Sequence, residues 1–333
     1  MQLIRRASMG LCLALGPLFF IACPRSAPPQ PPRVGMSERI ALEPTPSRAS
    51  VSFNGERALD HVRKQIEIGA RPPGSPEAAK TREYIINELK SAGALVSTDE
   101  FTTATPLGEK KMVNITAELP GESKDVIIIG SHYDTKYYGD MHFVGANDPG
   151  ASVGTLLELG RVLAATKPKL TYWLVFFDGE EAFCENWDDC GKPGAPDNTY
   201  GSRQYVAQLK SKKSLERVRA LVLLDMIGYK QLELGRDTLS TKWLQDIIWQ
   251  TARELGYRSY FVDRPEGVGG DDHEPFLQAG IPAVDLIQLN NYPYWHRADD
   301  TLDKVSAKSM KVVGDVVAAS LPRIEQRLLS KGK

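Results

Sequence analysis

Val126-Ile127-Ile128-Ile129-Gly130-Ser131-His132-Tyr133-Asp134 is the stretch whose reading decides the fold. Four branched aliphatic residues in a row leave no polar face, so the run suits a strand buried on both sides, as in a parallel sheet covered by helices. Similar short apolar runs occupy 172–177, 220–224 and 283–287. Helical spacing separates them, at 152–165, 201–209, 241–255 and 306–329. Upstream, Leu59, Val62 and Ile66 place a helix over 57–68. Tyr84, Ile85 and Leu89 place another over 77–91, with Ser75 as N-cap and Pro76 in the first turn. Two further extended runs, 95–103 and 112–119, precede the central strand. This alternation predicts an α/β fold, with a mixed, mainly parallel central β-sheet and helices on both faces. No internal repeat is visible.

The chain has 333 residues, ample for a buried core. Its 42% hydrophobic and 25% charged residues are those of a soluble globular protein, which excludes a polytopic membrane protein and a disordered chain. Forty-one basic against 42 acidic residues leave a net charge of −1 and no global field for nucleic acid. Arg5 and Arg6 precede an uncharged run, 9–22, too short to span a bilayer as a helix. Residues 1–22 therefore read as a signal peptide and the protein as exported, periplasmic or extracellular. Phe20-Ile21-Ala22-Cys23 resembles the lipobox of bacterial lipoproteins, apart from Phe20. A lipid on Cys23 is the one membrane attachment this allows for; ordinary cleavage and an uncleaved anchor are the alternatives. Residues 23–50 form a Pro-rich tether, and 51–333 a single catalytic domain. Cys12 and Cys23 lie in the export region; Cys184 and Cys190 either bridge or remain two free thiols.

Ligands of open α/β sheets bind beyond the carboxyl ends of the strands, and polar residues gather there. His132 and Asp134 follow the first run, Asp178-Gly179-Glu180-Glu181 the second and Asp225 the third. Trp295-His296 follows the fourth, and Asp148 stands just before a helix. Taken singly, Asp148 is an N-cap, Glu180-Glu181 a solvated pair and each His a structural residue. Asp225, after apolar residues, is costly unless paired or bound to metal. Their recurrence at successive strand ends argues instead for one site, and such N/O sets bind zinc.

In order and local sequence, His132, Asp148, Glu181, Asp225 and His296 resemble the five ligands of exported aminopeptidases that use two zinc ions. The likeness sharpens toward the glutaminyl cyclases (glutaminyl-peptide cyclotransferases). It is carried by Arg71-Pro72-Pro73-Gly74-Ser75-Pro76, FFDGEEAF at 176–183, Asp271-Asp272-His273 and Trp295-His296, over about residues 53–330. The resemblance implies conversion of an N-terminal glutamine of peptides or proteins to pyroglutamate, with release of ammonia. One zinc would be held by Asp148, Glu181 and His296. Glu180 would be the proton carrier, with Asp225 and Asp271 in a hydrogen-bond network beside it. His132 and Asp225 would be outer positions, Asp134 would orient His132, and Trp295 and Trp187 would wall the substrate pocket. It also implies a cis bond after Asp148. Asp272, before Glu274-Pro275, reads as a helix N-cap. The alternatives are an aminopeptidase with two zinc ions on the same five ligands, and a binding module that has lost catalysis.

Overall fold

The computed structural model describes residues 52–330 apart from Asp188 and Pro193. The signal-peptide segment, the tether and residue 51 lie outside the described residues, and with them Cys12 and Cys23. No helix among the described residues is long and apolar enough to cross a membrane.

Two helices, α1 (Gly55–Ile68) and α2 (Pro76–Ser91), lead into the hairpin β1 (Leu95–Thr105) and β2 (Gly108–Leu119). Then come β3 (Ser123–His132), α3 (Ser152–Ala164), β4 (Leu170–Phe177), α4 (Tyr200–Ser211) and β5 (Val218–Asp225). The chain ends with β6 (Leu234–Asp237), α5 (Lys242–Glu254), β7 (Phe261–Glu266), α6 (Glu274–Gln278), β8 (Ala283–Ile287) and α7 (Ala307–Ser330). Six strands form one sheet in the order β1-β2-β4-β3-β5-β8. The hairpin is antiparallel and joins β4 antiparallel, whereas β4, β3, β5 and β8 run parallel.

Alternation along β3 explains the layers. Ile127 and Ile129 pack into the larger core with residues of α1, α3, α5 and α7, while Val126 and Ile128 pack with Tyr205, Val206 and Phe276 of α4 and α6. Because side chains in a strand alternate faces, an unbroken aliphatic run is what a sheet covered on both sides requires. The expected mixed, mainly parallel sheet is therefore the architecture found.

The hairpin strands run to Thr105 and from Gly108, longer than expected, because Pro106-Leu107 closes them with a two-residue turn. The pair β6 and β7 forms a small separate parallel sheet. It gave no sequence signal, since Arg236, Asp237, Asp263 and Arg264 interrupt any apolar run. Helix α6 has five residues, too few for periodicity to register.

Candidate active site

The parallel strands deliver their polar residues to one edge. His132 ends β3 and Asp225 ends β5. After β4 the chain reverses at Gly179, whose φ is +75° and whose added Cβ would lie 2.6 Å from Met112 Sδ, so only glycine fits. The reversal turns Glu180 and Glu181 toward β3, where their backbone N–H groups donate to Asp134 Oδ1 and Oδ2 at 3.1 and 3.3 Å. Asp178 turns inward and accepts from Val113 N and Tyr133 Oη, both at 2.8 Å; burial pushes its carboxyl up to about 7.

Asp148 sits on the turn Ala146–Ala151 with extended backbone (φ −111°, ψ 94°) rather than as a helix cap, and the Asp148-Pro149 bond is cis. Two buried groups clamp this turn. Asp300 accepts the N–H of Asn147 at 3.0 Å, the N–H of Asp148 at 3.1 Å and the hydroxyl of Tyr292 at 2.5 Å. Arg71, fully buried, donates to the carbonyls of Tyr133, Val144 and Gly145 at 2.9, 2.8 and 3.3 Å. Burial lowers its guanidinium to about 10, partly offset by Asp134, Asp148 and Asp300, so it stays cationic at neutral pH. His296 enters from the far side in the left-handed region, φ +55°. The Trp295 ring stacks on it at 4.2 Å between centroids.

These placements bring together all five residues singled out as ligands. Ligand atoms of Asp148, Glu181 and His296 lie within 4.8 Å of one another, and so do those of His132, Asp148 and Asp225, with Asp148 common to both trios. His296 Nε2 is 3.1 Å from Glu181 and 3.6 Å from Asp148 Oδ2. His132 Nε2 is 3.2 Å from Asp225 Oδ1 and 3.3 Å from Asp148 Oδ1. Glu181 Oε2 is buried without a hydrogen-bond partner, as is His132 Nδ1. Buried carboxylates left short of donors beside imidazoles fit a divalent cation, and the Asp/Glu/His set suits zinc with one position open.

The charges press on one another. Burial drives the Glu180 carboxyl well above its ordinary value; His132 opposes the rise, while Glu181, Asp271 and Asp272 add to it. Burial likewise takes Asp225 to about 7 against the pull of His132. Asp148 goes the other way, since His132, His296 and Arg71 together outweigh its burial. Burial would strip His132 of its proton, but Glu180, Asp134, Asp148 and Asp225 hold its pKa well above the usual value.

A cavity of about 570 Å³ opens over this cluster, and Glu180, Asp225, Asp271, Trp187 and Trp295 are among its lining. Trp295 is 41% exposed, available to a ligand. Cys184 and Cys190 form a disulfide that closes the short loop carrying Trp187. Lys136 ties the start of that loop down through the carbonyls of Ala182 and Cys184, at 2.9 and 3.0 Å.

Asp134 Oδ1 stands beside the imidazole, 3.7 Å from His132 Nδ1, and the same carboxylate also accepts the backbone N–H groups of the Glu180-Glu181 turn. One expectation changes. Asp272 is no N-cap: helix α6 starts one residue later, Glu274 N bonds to the Asp271 carbonyl, and no side chain caps the helix. Sequence reasoning missed Arg71 as a clamp, Asp300 and Asp285. Asp285 had a signal, a carboxyl inside the apolar run Ala283-Val284-Asp285-Leu286-Ile287. Asp300 had none, because it lies in a loop where an aspartate is ordinary.

The chain is similar to proteins already known. Peptidase family M28 matches residues 114–321. The glutaminyl-peptide cyclotransferase of Bos taurus is 31% identical over 283 residues, covering 73% of this chain and 76% of that protein. The crystal structure of an Acidobacteriales bacterium glutaminyl cyclase superposes with a TM-score of 0.78 at 36% identity, over 86% of this chain and all of that one. A Zn-dependent exopeptidase from Parabacteroides distasonis superposes at 0.74 with 25% identity, over 84% of this chain and all of that one. The chain belongs to peptidase family M28 and, within it, to the glutaminyl-peptide cyclotransferases.

Proposed function

We infer that this chain is a zinc-dependent glutaminyl-peptide cyclotransferase that converts the N-terminal glutamine of peptides or proteins to pyroglutamate. The observation that carries the reading is Glu180, buried beside the Asp148, Glu181 and His296 trio, with a raised pKa, under a cavity walled by Trp187 and Trp295. Cyclisation joins the α-amine nitrogen to the γ-amide carbon and expels the amide nitrogen as ammonia. One proton must leave the attacking amine and one must reach the leaving group. Glu180 takes the first and returns it to the second. Burial raises the Glu180 carboxyl above its ordinary value, which makes it a better proton acceptor for the first transfer.

Asp148, Glu181 and His296 would hold the zinc, which when bound supplies Lewis-acid polarisation of the γ-carbonyl. Asp134 fixes the backbone on which Glu180 and Glu181 sit, so the base and its ligand neighbour keep their separate directions. Asp225 and Asp271, at the cavity wall, offer hydrogen bonds to the reacting glutamine. The flat walls of Trp187 and Trp295 sandwich its side chain and exclude water. Upstream, the export segment and tether would deliver the domain to the periplasm or exterior, with Cys23 as the anchor if it is lipidated.

A second reading, an aminopeptidase with two zinc ions, is favoured by one observation: the His132, Asp148 and Asp225 trio keeps ligand spacing and shares Asp148 with the first. Metal analysis separates the two. The cyclase requires about one zinc per chain and poor turnover of Leu-p-nitroanilide; two tightly held ions with efficient hydrolysis would establish the peptidase.

A further inference from the structure

Behind Asp271, away from the cavity, lies a closed set of titratable groups to which the mechanism assigns nothing. Asp285 on β8 is fully buried, and neither of its side-chain oxygens has a hydrogen-bond partner among the described residues. Ligand-type atoms of Asp271, His273 and Asp285 lie within 4.8 Å of one another. His273, also fully buried, has Nδ1 4.0 Å from Asp285 Oδ2 and Nε2 3.2 Å from Asp237 Oδ2. Asp237 Oδ2 accepts both the N–H and the hydroxyl of Ser240 at 2.8 and 2.7 Å, while its Oδ1 has no partner among the described residues. Ser240 is committed in turn: its hydroxyl oxygen accepts the backbone N–H of Asp285 at 2.9 Å. The Asp285 carboxyl group therefore gets no donor from its own strand or from the β6–α5 turn.

Three buried carboxyls share one imidazole. A buried carboxylate with neither donor nor full countercharge neutralises by taking a proton. Burial raises the Asp271 carboxyl too, but Asp271 accepts the backbone N–H of Asp272 and lies near His273, and both favour its ionised form. We propose that Asp285 is a neutral carboxylic acid whose O–H donates to the Asp271 carboxylate, making Asp285 the positioning residue that holds Asp271 ionised and aimed into the cavity. Burial, reinforced by the nearby charges of Asp271, Asp237 and Asp225, favours the protonated form. In this role Asp285 acts only through Asp271, and the functional half of the proposal rests on the cyclase reading.

Infrared difference spectroscopy of the purified, metal-loaded protein against Asp285→Asn at neutral pH is the test. The wild type should show the carbonyl stretch of a protonated carboxyl group that the variant lacks. The amide is isosteric with the acid and its N–H can donate to Asp271, so Asp285→Asn should fold and keep activity to within about threefold, whereas Asp285→Ala should lose about 10- to 100-fold in kcat, the worth of one charge-assisted hydrogen bond, with little change in KM. Absence of the protonated-carboxyl band would overturn the proposal. So would an Asn variant that fails to fold or is as impaired as Ala, which would mean the position needs its charge. Loss of a bound metal ion on Asp285→Asn would replace the proton with a cation shared by Asp271, His273 and Asp285. The infrared result needs no substrate, so it stands or falls independently of which reaction the enzyme catalyses.

Discussion

Asp300 Oδ2 accepts the backbone N–H of Asp148 at 3.1 Å, so one buried carboxylate fixes the main chain of another that is turned to the metal trio. The same carboxylate holds Asn147, so it fixes two consecutive backbone N–H groups of the turn. Outer groups of this kind typically cost 10- to 100-fold in metal affinity when removed. Asp300→Ala should therefore release zinc to a competing chelator about 10- to 100-fold more readily than wild type, while leaving every ligand in the sequence. Unchanged zinc retention in a folded Asp300→Ala protein would show that the turn holds its shape without the clamp.

Glu180 and Glu181 are neighbours with different surroundings. Glu181 lies 3.1 Å from His296 within the ligand trio, whereas Glu180 lies 3.7 Å from His132 Nδ1, and both line the cavity. Glu180→Gln should lose about 10²- to 10⁴-fold in kcat, the usual worth of a positioned acid–base group, with zinc content unchanged. Glu181→Gln should lose zinc as well. Equal zinc loss in both variants, read by elemental analysis after dialysis, would show that the two roles are not divided in this way.

The fold was largely legible because one physical signal dominates it. Unbroken aliphatic runs such as Val126-Ile127-Ile128-Ile129 suit strands covered on both faces, and polar residues at the ends of parallel strands then meet at one edge. Asp148 and Glu181 were legible for the same reason. Asp300 and Arg71 were not, because they act by hydrogen bonds to the backbone of a distant turn, and no periodicity marks a residue whose partners lie about 60 to 150 positions away. The β6–β7 pair escaped because Arg236, Asp237, Asp263 and Arg264 break any apolar run; its one aromatic, Phe261 of β7, packs edge-on against Trp249 of α5.

Arg71 satisfies three buried carbonyls at once, through a planar fork that lysine cannot reproduce. Arg71→Met should destabilise the domain by about 3 kcal/mol or more, since each buried carbonyl left unpaired costs on the order of 1 kcal/mol or above. Arg71→Lys should recover only part of this. Denaturant unfolding of the three proteins provides the comparison; a lysine variant as stable as wild type would mean that charge alone, and not the fork, supports the turn.

The most direct measurement is product identity. A peptide beginning with glutamine is incubated with the purified, zinc-loaded protein, and the products are resolved by mass spectrometry alongside an ammonia assay. Cyclisation predicts a peptide of unchanged length bearing an N-terminal pyroglutamyl group and one ammonia released per peptide converted. Free glutamine with a peptide shortened by its first residue, and no ammonia, would contradict it.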